Sequence, residues 1–171
     1  MTGSAAARRV LLIGYGNPGR LDDGLGPAVA AAVERLRLPG VTVESDYQLQ
    51  VEDAAQIAEH DVVLFCDADA TCAPPFRFER VEAKADLSFT THSVSPQALL
   101  AMAKQHFGSA ARGFLLGIRA DELDGFGEEL SAGARANLAA ALAFLEPVLA
   151  RDRDFEDCTT GADTPAPAHR G

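Results

Sequence analysis

A chain of 171 residues, 47% of them hydrophobic, is the size of one domain and apolar enough to bury a substantial core. Its formal net charge of −10 argues against partners that are bound through basic faces, nucleic acid and anionic membranes among them, and favours a partner with a positive site. Cys66, Cys72 and Cys158 are odd in number and form no C-x-x-C pair, so they suggest neither a disulfide framework nor a zinc cluster, and a reducing cytoplasm is the expected setting.

The opening "MTGSAAARRVLLIGYG" sets an Arg pair before an apolar run, as an export signal does, but Val10 to Ile13 is too short for a signal core. Residues 1–7 are expected to be flexible, and Arg9–Gly14 to form a buried strand. Apolar residues at helical spacing predict a helix over Gly24–Leu36, ending near Pro39-Gly40, and Val41–Glu44 alternates as a strand does. Gln50–Ala58 reads as a short helix. The continuous run Val62–Cys66 reads as a strand covered on both faces, and "FRFERVEA", 76 to 83, alternates with period two as an edge strand does. Ser95 and Pro96 form an N-cap and a first helical position, opening a helix to about Phe107. "GFLLGI", 113 to 118, is a further buried strand, and Ser131–Ala150 a long Ala/Leu helix. Its stretch "LAAALAFLEPVLA" is broken by Glu146 and Pro147 and falls short of the roughly 20 residues that span a bilayer, so no membrane segment is expected. The charged and then Pro/Ala/Gly/Thr-rich tail, 151 to 171, reads as disordered.

Strands alternating with helices predict an α/β fold over residues 8–150: a three-layer α/β/α domain with a mostly parallel central sheet and one antiparallel edge strand. Ligand sites in such sheets lie beyond the carboxyl ends of the strands. Asp23, just after the first strand, Asp67, after the third, and His92, in the loop before the Pro96 helix, are expected at that rim. Two carboxylates and an imidazole suit a borderline divalent metal such as zinc or nickel. Each residue also has a plainer role open to it. Asp22 and Asp23 suit the first turn of a helix, Asp67 a turn, and His92 an exposed loop. His60, His106 and His169 fit ordinary positions, Cys66 fits a buried small hydrophobe, and neither G-x-S-x-G nor H-E-x-x-H occurs.

Gly14, Gly16 and Gly19 spell G-x-G-x-x-G, the spacing of a dinucleotide loop, and Glu44 ends the second strand about where a ribose-binding acid is expected. Pro18 and the Asp22-Asp23 pair oppose that reading, since one removes a backbone donor and the others repel a pyrophosphate. The alternative is that the glycines let the chain turn tightly and carry Asp23 to the rim, with Asn17 and Asp22 bracing the loop.

Taken in order, "IGYGNPGRLDDGLGP", "VVLFCDAD", "THSVSPQALLAMA" and "GFLLGIRADEL" resemble the hydrogenase maturation protease family over roughly residues 8 to 150. The resemblance implies an endopeptidase, of aspartic type in its use of carboxylates, that removes the C-terminal extension of a [NiFe] hydrogenase large-subunit precursor after nickel insertion and so activates that enzyme. It implies Asp23, Asp67 and His92 as the metal-contacting and catalytic residues. Nickel would arrive on the substrate, since two carboxylates and an imidazole lack the soft ligands that hold it tightly, and intrinsic metal binding is expected to be weak. A cytoplasmic monomer is expected. The alternatives from the sequence are a nickel-sensing or chaperone-like domain that binds the precursor without cutting it, and the dinucleotide-binding domain.

Overall fold

A computed structural model describes residues 8–85, 94–151 and 153–159; residues 1–7, expected to be flexible, lie outside the described set. In chain order, β1 (Val10–Tyr15) passes through a 3₁₀ turn at Leu21–Gly24 into α1 (Leu25–Leu36), followed by β2 (Val41–Asp46), α2 (Asp53–Ile57) and β3 (Val62–Asp69). Then come β4 (Phe76–Val81), α3 (Pro96–Phe107), β5 (Arg112–Arg119) and α4 (Ala132–Leu149). The expected elements are present, and the differences lie at their ends. β2 and β3 run on to Asp46 and Asp69, while α2 is confined to five residues.

The sheet order is β2-β1-β3-β5-β4, with β4 antiparallel to β5 at one edge and the other pairings parallel. Period two sorts the apolar residues of each strand onto the two faces. Val10 and Leu12 of β1, and Val62, Leu64 and Cys66 of β3, pack with α1 and α4. Leu11, Ile13, Val63 and Phe65 pack with α2 and α3. The result is the three-layer arrangement expected from the alternation of strands and helices.

Local chemistry sets the helix positions. Leu25, Val29 and Val33 recur every four residues and give α1 one buried stripe. The absence of a side chain at Gly26 lets α1 approach the sheet, since a Cβ there would stand 2.3 Å from the Tyr15 carbonyl oxygen and 2.6 Å from that of Cys66. Ser95 Oγ accepts from Ala98 N–H at 3.1 Å to cap α3, and Ser131 Oγ accepts from Ala134 N–H at 3.2 Å to cap α4. Among the described residues no helix is long and apolar enough to cross a membrane.

The expectation of disorder from residue 151 needs correction over 153–159. Phe155 is fully buried, with ring centroids 5.1 Å from Phe114 and 6.3 Å from Phe78, and the Arg8 guanidinium lies 4.8 Å from its own. Cys158 is also buried, and Glu156 pairs with Arg80 and Arg112. The polar average of the tail concealed two apolar residues spaced to dock on the α1/α4 face. Residues 160–171 lie outside the described set.

Candidate active site

After β1 the chain moves outward to β2, and β3 then returns to the other side of β1, so the connections from β1 and β3 part company at their carboxyl ends. A reversal of this kind opens the crevice in which α/β sheets hold ligands. The structure brings Asp23 to this crevice on the 3₁₀ turn after β1. Asp67 sits beside it near the end of β3, one residue beyond the pairing of Gly14 with Cys66. Asp67 is therefore a strand residue and not the turn residue that follows a strand.

The turn geometry explains the glycines. Gly16 has φ +140°, and a Cβ there would lie 2.1 Å from the Asp23 carbonyl oxygen, so only glycine lets the chain fold back far enough to present Asp23. Asn17 N–H donates to Asp23 Oδ2 at 2.8 Å, and Gly19 N–H donates to Asn17 Oδ1 at 2.8 Å. The loop donors that a pyrophosphate would need are thus already taken by the loop's own side chains. Glu44, the candidate ribose ligand, accepts from Gln56 Nε2 at 3.0 Å. These contacts favour the Asp23-presenting reading over the dinucleotide one. Nor is Asp23 a cap for α1, whose N-cap is Gly24 and has no side-chain hydrogen bond.

Asp67 shares its side of β3 with Val63 and Phe65, toward the α2/α3 layer, and Tyr15 shares the corresponding side of β1. The Tyr15 hydroxyl donates to the Asp67 carboxylate, and Ala68 N–H donates to Asp67 Oδ1 at 2.8 Å. Burial is the chief influence on Asp67 and the Asp23 charge adds to it. They outweigh the two hydrogen bonds and push the carboxyl up to about 6. Burial and the Asp67 charge raise the Tyr15 phenol in turn, so it remains a donor. Asp69, two residues on, is occupied otherwise. It accepts from Thr71 N–H at 2.8 Å and pairs with Arg77, and these bonds overcome its burial and hold it at about 2.

His92 lies outside the described residues. The two residues that lead into α3 are described: Val94 packs in the α2/α3 layer and Ser95 caps the helix. Because α3 runs directly into the start of β5, its Ser95 end lies toward the carboxyl rim. Among the described residues no three His, Cys, Asp or Glu side chains form a metal-holding group.

Asp22 has a different role from its neighbour and from the helix-turn role open to it in the sequence. It is fully buried and accepts from Asp121 N–H at 2.9 Å, Glu122 N–H at 2.8 Å, Ser131 N–H at 2.7 Å and Ser131 Oγ at 2.7 Å. Burial alone would raise its pKa, but these bonds prevail and lower it. Asp22 thus ties the loop that bears Asp23 to the segment between β5 and α4, some 100 residues away. Replacing Asp22 with Ala would strand those donors and is expected to cost about 3 kcal/mol or more, read as a fall in the urea midpoint. Sequence reasoning missed this long-range tie, and it missed Tyr15. The signal for Tyr15 was its two-residue offset from Ile13, which sets it on the same face as the residues flanking Asp67.

No family model and no curated protein sequence matches the chain. Solved structures do. [NiFe] hydrogenase maturation protease HycI from Thermococcus kodakarensis KOD1 aligns with a TM-score of 0.65 at 22% identity, over 85% of this chain and 94% of that one. The hydrogenase 2 maturation peptidase from Thaumarchaeota archaeon SCGC_AB-539-E09 aligns with a TM-score of 0.62 at 27% identity, over 83% and 98%. The hydrogenase maturating endopeptidase HybD from E. coli aligns with a TM-score of 0.62 at 21% identity, over 84% and 93%. The fold of this chain is that of the hydrogenase maturation proteases.

Proposed function

We infer that this chain belongs with the hydrogenase maturation proteases in activity as well as in fold, as an endopeptidase that removes the C-terminal extension of a [NiFe] hydrogenase large-subunit precursor. The observation that carries this reading is the pair of carboxylates, Asp23 and Asp67, presented from two different strands at the switch point, with Asp67 tuned to about 6. A carboxylate of that pKa is mostly ionised at neutral pH and basic enough to take a proton from an attacking water.

Nickel enters this reading as part of the substrate, held by the precursor, where it serves as the mark of a loaded subunit and polarises the bond to be cut. Asp23 and Asp67, with His92, contact it from the protease side. One oxygen of each Asp is braced by a backbone N–H, from Asn17 and Ala68, Asp67 also accepts from the Tyr15 hydroxyl, and the lone pairs beyond these are left for substrate or water. Such a set holds nickel weakly on its own, so the isolated protein binds divalent metal poorly and gains it only with the precursor. The net charge of −10 favours approach of a cationic site. The protein acts as a monomer in the cytoplasm.

The test is incubation of the purified chain with nickel-loaded and nickel-free precursor, followed by mass measurement. Shortening of the loaded form alone is expected; tight binding without shortening would make the chain a nickel-sensing chaperone instead. Two variants then probe the site residues. Asp23→Asn keeps an acceptor for Asn17 N–H but loses the charge, and should reduce processing by about 100-fold or more with little change in melting temperature. Asp23→Glu keeps the charge and should retain measurable activity. Full activity in Asp23→Asn would remove Asp23 from the site. His92→Ala should abolish processing in a soluble, folded protein, and normal processing by that variant would remove His92.

A further inference from the structure

The segment between β5 and α4 carries Asp121, Glu122, Asp124, Glu128 and Glu129, all exposed, and at its centre Phe126, which is 90% exposed. Asp121 lies 3.9 Å from Arg119, and the other four carboxylates have no cationic partner among the described residues. The exposed ring leaves apolar area in water, and the acidic residues that flank it along the chain repel one another. A basic surface with an apolar pocket would relieve both.

The segment is firmly held. Gly125 and Gly127 bracket Phe126 with φ of +139° and +153°, conformations that glycine alone adopts freely. Leu21 N–H donates to the Gly127 carbonyl at 2.8 Å, Gly127 N–H donates to the Gly19 carbonyl at 2.9 Å, and Arg20 and Gly127 form a parallel bridge. Together with the four bonds to Asp22, these contacts join the segment to the turn that presents Asp23. The Arg20 guanidinium lies 5.8 Å from the Phe126 ring centroid, so an aromatic and an arginine, the residue types that anchor interfaces, stand together at the rim. A cavity of about 360 Å³, lined by Pro18, Pro27, Ala31 and Leu130 with Glu128 at its edge, continues this surface back to the loop after β1.

We propose that Phe126 and the carboxylates around it are the docking surface for the precursor's folded body, Phe126 entering an apolar pocket on a basic face while Asp23 and Asp67 engage the cleavage region. This rests on the endopeptidase reading and names the surface by which that substrate is gripped. The hydrogen-bonded coupling of the two loops fixes the docked body relative to the carboxylates without an ordering cost at binding.

The test uses a nickel-loaded large-subunit precursor and three proteins: the parent, Phe126→Ala, and a variant combining Glu122→Gln, Asp124→Asn, Glu128→Gln and Glu129→Gln. Phe126→Ala should raise KM for the precursor about tenfold, with kcat within about twofold and an unchanged melting temperature. In the parent, KM should rise with salt, and the four-fold variant should lose that salt dependence. Unchanged KM in Phe126→Ala, or parental salt dependence in the four-fold variant, would overturn the proposal. So would a parent that sediments as a dimer and a Phe126→Ala variant that sediments as a monomer with parental KM, since the surface would then serve a second copy. If the parent binds the precursor without shortening it, the endopeptidase reading fails alone and Kd replaces KM in the same comparison. If the parent does not bind it at all, both fail.

Discussion

Asp67→Asn should give a protein that is more stable than the parent at neutral pH and processes no precursor. The parent carboxyl titrates at about 6 against an ordinary value of 3.8, so between those values the folded state keeps a proton that the unfolded chain releases. Stability from this group is therefore fully present below about pH 4 and is lost as pH rises through 6. At pH 7 the ionised, largely buried carboxylate costs up to about 3 kcal/mol, an upper bound that asparagine avoids while still accepting from Ala68 N–H. Urea midpoints at pH 4 and pH 7 should diverge in the parent more than in the variant. Processing by the parent should have an acidic limb near pH 6, where Asp67 gains its charge. A variant that is less stable at pH 7, or that still processes, would contradict the assignment of Asp67 as a strained acid kept for chemistry.

Ending the chain at Arg151 is expected to destabilise the domain severely without touching the site. Phe155 is completely buried between Phe114, Phe78 and the Arg8 guanidinium, and removal of a buried phenylalanine costs about 3–5 kcal/mol. For a domain of this size that corresponds to a fall of roughly 10 °C or more in Tm. Phe155→Ala alone should reproduce most of the loss, while a chain ending after Thr159 should melt with the parent. Glu156 ties this segment to Arg80 and Arg112, at the amino-terminal end of β5 and so at the rim opposite Asp23 and Asp67. Processing measured well below the melting transition should therefore be close to parental. Parental stability in Phe155→Ala would mean that the segment adds little to the core.

The sequence by itself determined the order of elements, the edge position of β4 and the cap of α3, because these follow from local periodicity and from single residues such as Ser95. It also singled out Asp23 and Asp67 as candidates for the ligand rim, since both follow or end a buried strand in an α/β sheet, while leaving a helix-turn role and a turn role open to them. The sequence offered Asp22 as a brace for the loop that carries Asp23, and only the tertiary structure decided which groups it braces against. Asp22 is consumed by Asp121, Glu122 and Ser131, and Asp23 is left facing the crevice. The same holds for the Tyr15–Asp67 bond, the burial that lifts Asp67, and the docking of Phe155. Each depends on residues brought together across the sheet or from distant segments. Hydrogen bonding and desolvation act through space at a few ångströms, and no pattern of neighbours along the chain encodes which distant group will fill that space.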